Sequence, residues 1–323
     1  MNTNELEQQL RGTGAYSNPR ARAAIDTALS AMRTAEEAGN GDKVNRLKRE
    51  LTLELGRILA ESVPAGLSPE ALELLRGFEV QFGERMDELD SFGIIDRSNP
   101  KIKGIDDKEY PAPSWEQIKA GFTPEKMALI SQLENPTLLL VPDGMSLKEY
   151  IETAGSDKPE GSNKKKLPWN KTADIDLDSD KTGALVSDCS QYDLTNHGGK
   201  TKMERLREPG AHGWQVYVVD GGDEVPANTL NKKADDLLKD FRAEGFGGLT
   251  AEAVFALQMH GQALGKPFDR TNWGWLLESY LMAIGGRGVV LNSDWFGSHV
   301  RLNRTGPVGS GGALGARRSV RVL

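Results

Sequence analysis

The sequence is poor in cysteine and in long apolar runs, and its acidic residues outnumber its basic ones. Cys189 is the single cysteine among 323 residues, so the chain can form no internal disulfide and no cysteine-based zinc site. No stretch approaches the ~20 apolar residues that a helix needs to cross a bilayer, so membrane insertion is not expected. The net charge of −7 argues against a general nucleic-acid partner and against binding to an anionic membrane surface.

The start of the chain contains no apolar run of the kind found in secretory signals. We therefore expect a cytoplasmic protein, with display on a virion or a cell surface as the alternative. Hydrophobic residues make up 38% and charged residues 27% of the chain, which is ordinary for a globular protein, and the length allows two domains with separate cores.

Residues 1–92 have the pattern of an α-helical hairpin or bundle. Pro19 suits the first turn of a helix, and the alanine-rich run that follows ends at Asn40 and Gly41. A third helix is expected to begin near Ser68. The second segment carries an apolar stripe at three- to four-residue spacing, formed by Val44, Leu47, Leu51, Leu55 and Leu59. Helices of this kind most often serve as scaffolds, so a homo-oligomer could form through them.

Residues 93–135 have the composition of a linker with short helices, because glycine and proline punctuate the segment. From residue 136 the pattern changes. The apolar runs at residues 137–141 and 214–220 predict buried strands, and Ser146 suits the N-cap of a helix. Residues 155–183 are polar and charged, which predicts an insertion without a core of its own.

The last third of the chain combines helical and strand patterns. Helices are expected at residues 229–243 and 250–264, with a shorter one at 273–283. In the glycine-rich tail, Val300 and Leu302 alternate with polar residues, which predicts a strand with its apolar side chains inward. We therefore expect residues 136–323 to form an α+β domain with a small antiparallel sheet and two or more helices.

Two apparent ligand motifs carry little weight. Gly198-Gly199-Lys200-Thr201 resembles a phosphate loop, but Leu194 stands where the loop needs its first glycine, so a turn before a helix is favoured. Four alternating aspartates resemble a calcium loop, but Ser179 and Leu185 replace its glycine and its glutamate. These aspartates are Asp174, Asp176, Asp178 and Asp180. The histidines lack the spacing of a metal pair, so no metal and no cofactor are expected.

The segment 292–304 has the mixed composition of a binding surface. Aromatic and arginine side chains supply rigid contact area, and asparagine and serine adapt their hydrogen bonds, as in antibody paratopes. Composition alone leaves this interpretation even with that of an ordinary exposed hairpin. The candidate ligand-contacting residues are Asn292, Ser293, Asp294, Trp295, Phe296, Ser298, His299, Arg301, Asn303 and Arg304.

The segment LGARRSVRV at residues 314–322 resembles the closing motif of the variable proteins of diversity-generating retroelements, which occur in phages, bacteria and candidate-phyla genomes. Four further segments resemble uncharacterised members of that group, in the same order along the chain. They are residues 109–114 (EYPAPS), 138–145 (LLLVPDGM), 199–203 (GKTKM) and 213–220 (GWQVYVVD). The resemblance covers about residues 105–323.

The resemblance implies a C-type-lectin fold related to formylglycine-generating enzymes, in which a rigid scaffold displays hypervariable side chains on its last strands and loops. An error-prone reverse transcriptase rewrites the codons of these side chains, so it acts on the gene and not on the protein. The exposed residues within 292–304 would contact the ligand, and residues 315–322 would form a constant closing strand. The active-site cysteines of the enzyme relatives have no counterpart here, so their activity is not carried over.

The sequence therefore predicts a hypervariable receptor or adhesion protein that binds an unknown protein or glycan, and not an enzyme. The alternative is a structural or assembly protein of a phage or mobile element, in which the N-terminal helices oligomerise. An enzyme of unknown type is the third hypothesis.

Overall fold

The computed structural model describes Thr3, Leu6, Glu7 and Leu10, and then residues 19–61, 67–157, 164–171, 185–188, 200–208, 210–281, 289–306 and 308–323. The chain divides into two compact units, Met1–Leu75 with Ser114–Pro124 and Arg76–Pro113 with Glu125–Leu323. Helices and several small sheets occur together, which agrees with the predicted α+β class. Within the described ranges, no helix is both long and apolar enough to span a membrane.

Among the described elements, three helices come first, helices and strands are mixed in the middle of the chain, and five strands come last. The described helices are α1 (Pro19–Glu37), α2 (Gly41–Glu61), α3 (Pro69–Ser91), α4 (Trp115–Ala120), α5 (Pro124–Ile130), α6 (Leu147–Gly155), α7 (Lys202–Leu206), α8 (Ala234–Ala243) and α9 (Ala251–Ala263). The described strands are β1 (Lys101–Lys103), β2 (Glu109–Pro111), β3 (Pro136–Val141), β4 (Trp169–Lys171), β5 (Leu185–Asp188), β6 (Lys200–Thr201), β7 (Gln215–Asp220), β8 (Trp273–Leu281), β9 (Val289–Phe296), β10 (His299–Thr305), β11 (Leu314–Ala316) and β12 (Ser319–Arg321).

In the first unit, α1 and α2 pack against each other as the predicted hairpin. Gly39 takes a φ of +67° in the turn between them, a conformation that glycine adopts without strain. The side chains of Leu55 and Leu59 in the predicted stripe lie outside the described residues. The buried core of the hairpin consists of Ala21, Ile25, Leu29, Met32 and Leu51.

The second unit contains two larger sheets. One has the strand order β4-β10-β9-β8-β5-β6, with β11 also paired to β8, and the other has the order β12-β7-β3. The helix α9 contacts β3, α6 and β8, and nearly all of its side chains are buried. The predictions of β3, β7, α9 and the Ser146 cap are confirmed, and Ser146 Oγ accepts a hydrogen bond from the Glu149 amide at 3.0 Å.

The helix predicted at residues 273–283 is wrong, because residues 273–281 form the strand β8. β8 pairs with β9 and β5 in antiparallel fashion and with β11 in parallel fashion. Its residues Gly274, Trp275, Leu276 and Leu277 are all buried. A strand that is covered on both faces has a continuous apolar run, and such a run does not differ from a buried helix in periodicity.

Two segments for which no strand was predicted contain strands. The predicted linker includes the antiparallel hairpin β1-β2, in which Ile102 pairs with Tyr110. The predicted polar insertion contributes β4, which pairs in parallel with β10 through Val300 and Trp169. The four aspartates of the calcium-like motif, Cys189 and Gly198-Gly199 lie outside the described residues, whereas Thr201 caps α7 as the turn interpretation predicts.

Candidate ligand-binding face

The strands β9 and β10 form a hairpin at one side of the large sheet. Phe296 pairs with His299, so the turn consists of Gly297 and Ser298. Gly297 takes a φ of +63°, which suits a two-residue hairpin turn and favours glycine at this position. The tight turn fixes the register of the two strands, and so it fixes which side chains share a face.

The alternation predicted for β10 is confirmed. Val300 and Leu302 are fully buried, whereas His299, Arg301 and Asn303 are partly exposed. Arg304 and Ser298 are exposed at the end of the strand and in the turn. One face of β10 therefore packs into the core, and side chains on its other face reach solvent.

The prediction that the whole segment is accessible is wrong for Asn292, Ser293, Asp294 and Trp295, which are buried. The strand β9 lies between β8 and β10, so both of its edges are paired, and its side chains are covered on both faces. The Asn292 side-chain amide donates a hydrogen bond to Thr305 Oγ1 at 3.0 Å, and the Trp295 amide donates one to the Asp269 carbonyl at 2.9 Å. These four residues therefore belong to the scaffold.

Arg301 is the centre of the accessible side. Its Nε and Nη2 atoms donate hydrogen bonds to the two carboxylate oxygens of Asp294 at 3.0 and 2.7 Å. Its guanidinium carbon lies 4.2 Å from the ring centroids of both Trp273 and Phe296. A guanidinium in this position gains cation–π attraction from both rings and is held in one orientation by the carboxylate.

The accessible face combines strands from distant parts of the sequence. Trp273 from β8 and Asn170 from β4 lie beside Arg301, and the sequence analysis missed both of them. A tryptophan at every second position, as at Trp273 and Trp275, is the signal that could have indicated a strand here. Arg304 is exposed, but the alternation along β10 places it on the side of Val300 and Leu302, so it does not share a face with Arg301. We define the candidate face as Asn170, Trp273, Phe296, Ser298, His299, Arg301 and Asn303.

The loop before β8 is held by a carboxylate. Glu224 accepts hydrogen bonds from the backbone amides of Arg270, Thr271 and Asn272 at 3.0 to 3.3 Å. Three successive amides that point at one carboxylate form an anion-binding nest, which Glu224 fills from within the chain. The loop that delivers Trp273 to the face is therefore fixed before any ligand arrives.

A buried ion pair lies beneath the same loop. Arg317, in the closing motif, pairs with Asp269, and both side chains are about 1% exposed. The Arg317 guanidinium also donates hydrogen bonds to the carbonyls of Asp220 and Gly222, each at 2.8 Å. The Asp269 carbonyl also accepts a hydrogen bond from the Trp295 amide, so this cluster connects the closing motif to the strand β9.

The other segments that carry the resemblance meet in a second cluster. Asp143 and Arg205 form a buried pair with two hydrogen bonds, one of them 2.9 Å long. Lys202 and Glu252 form a second pair, 2.8 Å apart and fully buried. Burial raises the pKa of Asp143, but the charge and hydrogen bonds of Arg205 more than offset this and leave the pKa below its ordinary value.

Close backbone packing surrounds these ion pairs. The Gly144 amide donates a hydrogen bond to the Gly213 carbonyl at 2.6 Å, and the Trp214 indole donates one to the Tyr110 carbonyl at 3.1 Å. A Cβ atom on Gly213 would lie 2.4 Å from the Tyr110 ring. The motifs that include Tyr110, Gly144 and Trp214 therefore form a framework and do not line the candidate face.

No family model, curated protein or solved structure matches this chain. Among the residues that the structure describes, no three histidine, cysteine, aspartate or glutamate side chains are grouped so as to hold a metal ion.

Proposed function

We propose that this chain is the variable, ligand-binding protein of a diversity-generating retroelement, and that its second unit is a C-type-lectin-like scaffold. The observation that supports this most is that one face of β10 is buried and the other is accessible. Since Val300 and Leu302 hold the strand, accessible side chains of the hairpin such as Phe296, His299 and Asn303 can change without loss of the fold.

The proposed contact set is smaller than the one expected from the sequence. It retains the residues of the turn and of the accessible face of β10, and it adds Asn170 and Trp273 as fixed neighbours. The proposed variable positions are Phe296, Ser298, His299 and Asn303. Arg301 is a constant member of the contact set, because its replacement would leave the buried Asp294 carboxylate without its ion pair. Asn292, Ser293, Asp294 and Trp295 are left out because they are buried.

The chemistry of the face suits a protein or a glycan ligand. Phe296 is 55% exposed although it is a large apolar side chain, and it lies beside the Arg301 guanidinium. Aromatic and arginine side chains dominate the energetics of protein interfaces. The pairing of Arg301 with Asp294 and the tight turn limit the entropy that binding costs.

Sequencing of sibling genes tests this proposal directly. We expect a reverse-transcriptase gene and a near-copy of the 3′ coding segment beside the gene, and codon differences linked to adenines at the four variable positions. Differences concentrated at Ser293, Trp295, Val300 or Leu302 would contradict the proposal, as would a locus without the near-copy.

A pair of display libraries tests the scaffold. One library randomises Phe296, Ser298, His299 and Asn303, and the matched library randomises Ser293, Trp295, Val300 and Leu302. Most members of the first library are expected to resist protease as the parent chain does, and few members of the second. Equal survival of the two libraries would show that the accessible face of β10 is not specially tolerant. Resistant members of the first library that differ in binding on glycan and surface-protein arrays would support ligand recognition.

Assembly through the N-terminal helices is the second candidate function. It is favoured by a cavity of about 460 Å³ on the α1–α2 hairpin, whose lining includes Ala24, Ala28, Ala31 and Leu47. An apolar groove on a helical hairpin suits packing against a second copy. Light scattering of the full chain tests this function, and a monomer at all concentrations would exclude it.

A further inference from the structure

A second concave site lies in the same unit and shares no residue with the candidate ligand-binding face. It is a cavity of about 550 Å³ at the junction of α5, the end of α8, the loop Gly245–Gly248, β8 and β12. This volume lies within the ~300–1,000 Å³ typical of small-molecule sites.

The charges around this cavity are mainly positive. Lys126, Arg242 and Arg321 line it, and Glu278 is the acidic side chain among the lining residues, so the lining carries a formal charge of +2. Burial lowers the pKa of Lys126, and the nearby charge of Arg321 lowers it further. A concave site whose lining has a net positive charge favours an anionic ligand.

The lining keeps a net positive charge when its acidic and phenolic groups are included. The Glu278 carboxylate accepts a hydrogen bond from the Gly248 amide at 3.3 Å, which holds it against the loop. Burial raises the pKa of Tyr217, so its hydroxyl group stays neutral. The wall also contains the apolar side chains of Leu129, Phe246 and Val320.

The floor of the cavity is fixed by hydrogen bonds. The amide of Gly247 donates to the Ser319 carbonyl, and the amide of Ser319 donates to the Gly247 carbonyl, both at 2.9 Å. The Ser319 hydroxyl donates to the Gly248 carbonyl at 2.6 Å. Glycine at position 247 also leaves room, because a Cβ there would lie 3.2 Å from the Glu278 carboxylate. A rigid floor lowers the ordering cost of binding.

We propose that this cavity binds a small organic anion, with a phosphate or carboxylate group between Lys126, Arg242 and Arg321 and an apolar body against Phe246 and Leu129. Guanidinium groups bind both headgroups through charge-assisted hydrogen bonds. The apolar wall then distinguishes such a molecule from an inorganic ion. The site goes beyond the proposed surface recognition and does not depend on it.

Titration of the full chain with defined probes tests the proposal. Phenyl phosphate and benzoate carry both the charge and the ring, inorganic phosphate carries the charge alone, and benzyl alcohol is neutral. We expect saturable binding of phenyl phosphate or benzoate by calorimetry, with amide shifts at Gly247 and Gly248 in NMR spectra. The preferred headgroup is given by whichever of the two probes binds more tightly. Inorganic phosphate is expected to bind at least about tenfold more weakly, and benzyl alcohol is expected to give no shift there.

Two variants locate the binding. Arg242→Gln and Lys126→Met each remove one cation, and each is expected to weaken binding of the better probe by about tenfold or more. Lys239→Gln is the matched control, because Lys239 is an exposed cation on α8 outside the cavity. Binding that is unchanged in both variants, or equally weakened in the control, would overturn the proposal. If a variant fails to fold, the shifts in the wild-type chain still decide, and their absence with both ring-bearing anions would sink the proposal.

Discussion

Trp295 and Phe296 are neighbours in the chain but lie on opposite sides of β9, with 8% of Trp295 and 55% of Phe296 exposed. Trp295→Ala should lower the free energy of unfolding by about 3–5 kcal/mol, because it leaves a large hole in the core. Phe296→Ala should change it by less than about 0.5 kcal/mol. Urea unfolding followed by circular dichroism measures both variants. Similar losses in the two variants would contradict the assignment of Phe296 to a binding face.

The ion pair of Arg317 and Asp269 offers a second test. Arg317→Met leaves a buried carboxylate without its partner and should cost about 3–5 kcal/mol of unfolding free energy. Asp269 has a φ of +53°, so Asp269→Asn is the matching neutral change, since asparagine tolerates this conformation. The double variant should be more stable than the sum of the single losses predicts, and strict additivity in urea unfolding would show that the two residues do not interact.

Acid stability should depend on Asp143. The pKa of Asp143 is lower in the folded chain than in the unfolded chain. The ionised carboxylate therefore stabilises the fold at pH values above the ordinary pKa of ~4. This stabilisation is lost as the pH falls through the pKa of the folded chain. Asp143→Asn should cost about 3 kcal/mol at pH 7, and its difference from wild type should shrink below about pH 4. Asp236→Asn, at an exposed position on α8, is the control and should change stability by less than about 0.5 kcal/mol. A difference that does not vary with pH would refute this role.

Two glycines allow the energetic cost of a left-handed backbone conformation to be distinguished from the cost of close packing. Gly213 has a φ of +65° and lies against the Tyr110 ring, whereas Gly210 has a φ of +83° and open space around its Cα. Gly210→Ala should cost about 1 kcal/mol from the backbone conformation alone. Gly213→Ala should cost clearly more, about 3 kcal/mol, because Tyr110 must also move. Thermal unfolding of both variants measures the difference, and equal losses would mean that the Tyr110 contact has no energetic weight.

The parts of the fold that could be predicted are those with local signals. The strands β3 and β7 are short apolar runs. Thr250 is the N-cap of α9, and its side chain accepts a hydrogen bond from the Ala253 amide. The alternation of Val300 and Leu302 with polar residues also predicted the inward side of β10 correctly. In β7 and α9 nearly every position is buried, whereas in β10 the buried positions alternate together with the apolar residues.

The features that were not predicted from the sequence depend on pairing between segments that are distant in the chain. Nothing within β9 indicates that Asn292 and Ser293 are buried, because the strands on either side of it and the cover on both faces come from elsewhere in the chain. The short strand β4 joins the sheet through backbone hydrogen bonds, for which its composition gives no signal. Asn170 and Trp273 were missed for the same reason.

The strands β11 and β12 follow the accessible strand in the chain, and each joins a different sheet, β11 through β8 and β12 through β7. Loss or gain of one nucleotide in the codons of β10 would replace every amino acid from that point through β12, including Arg317. Such a chain would lack the pieces that complete both sheets and would not fold. Because β11 and β12 come last, a frameshifted chain would not fold. Folded chains would therefore carry only changes that preserve the reading frame.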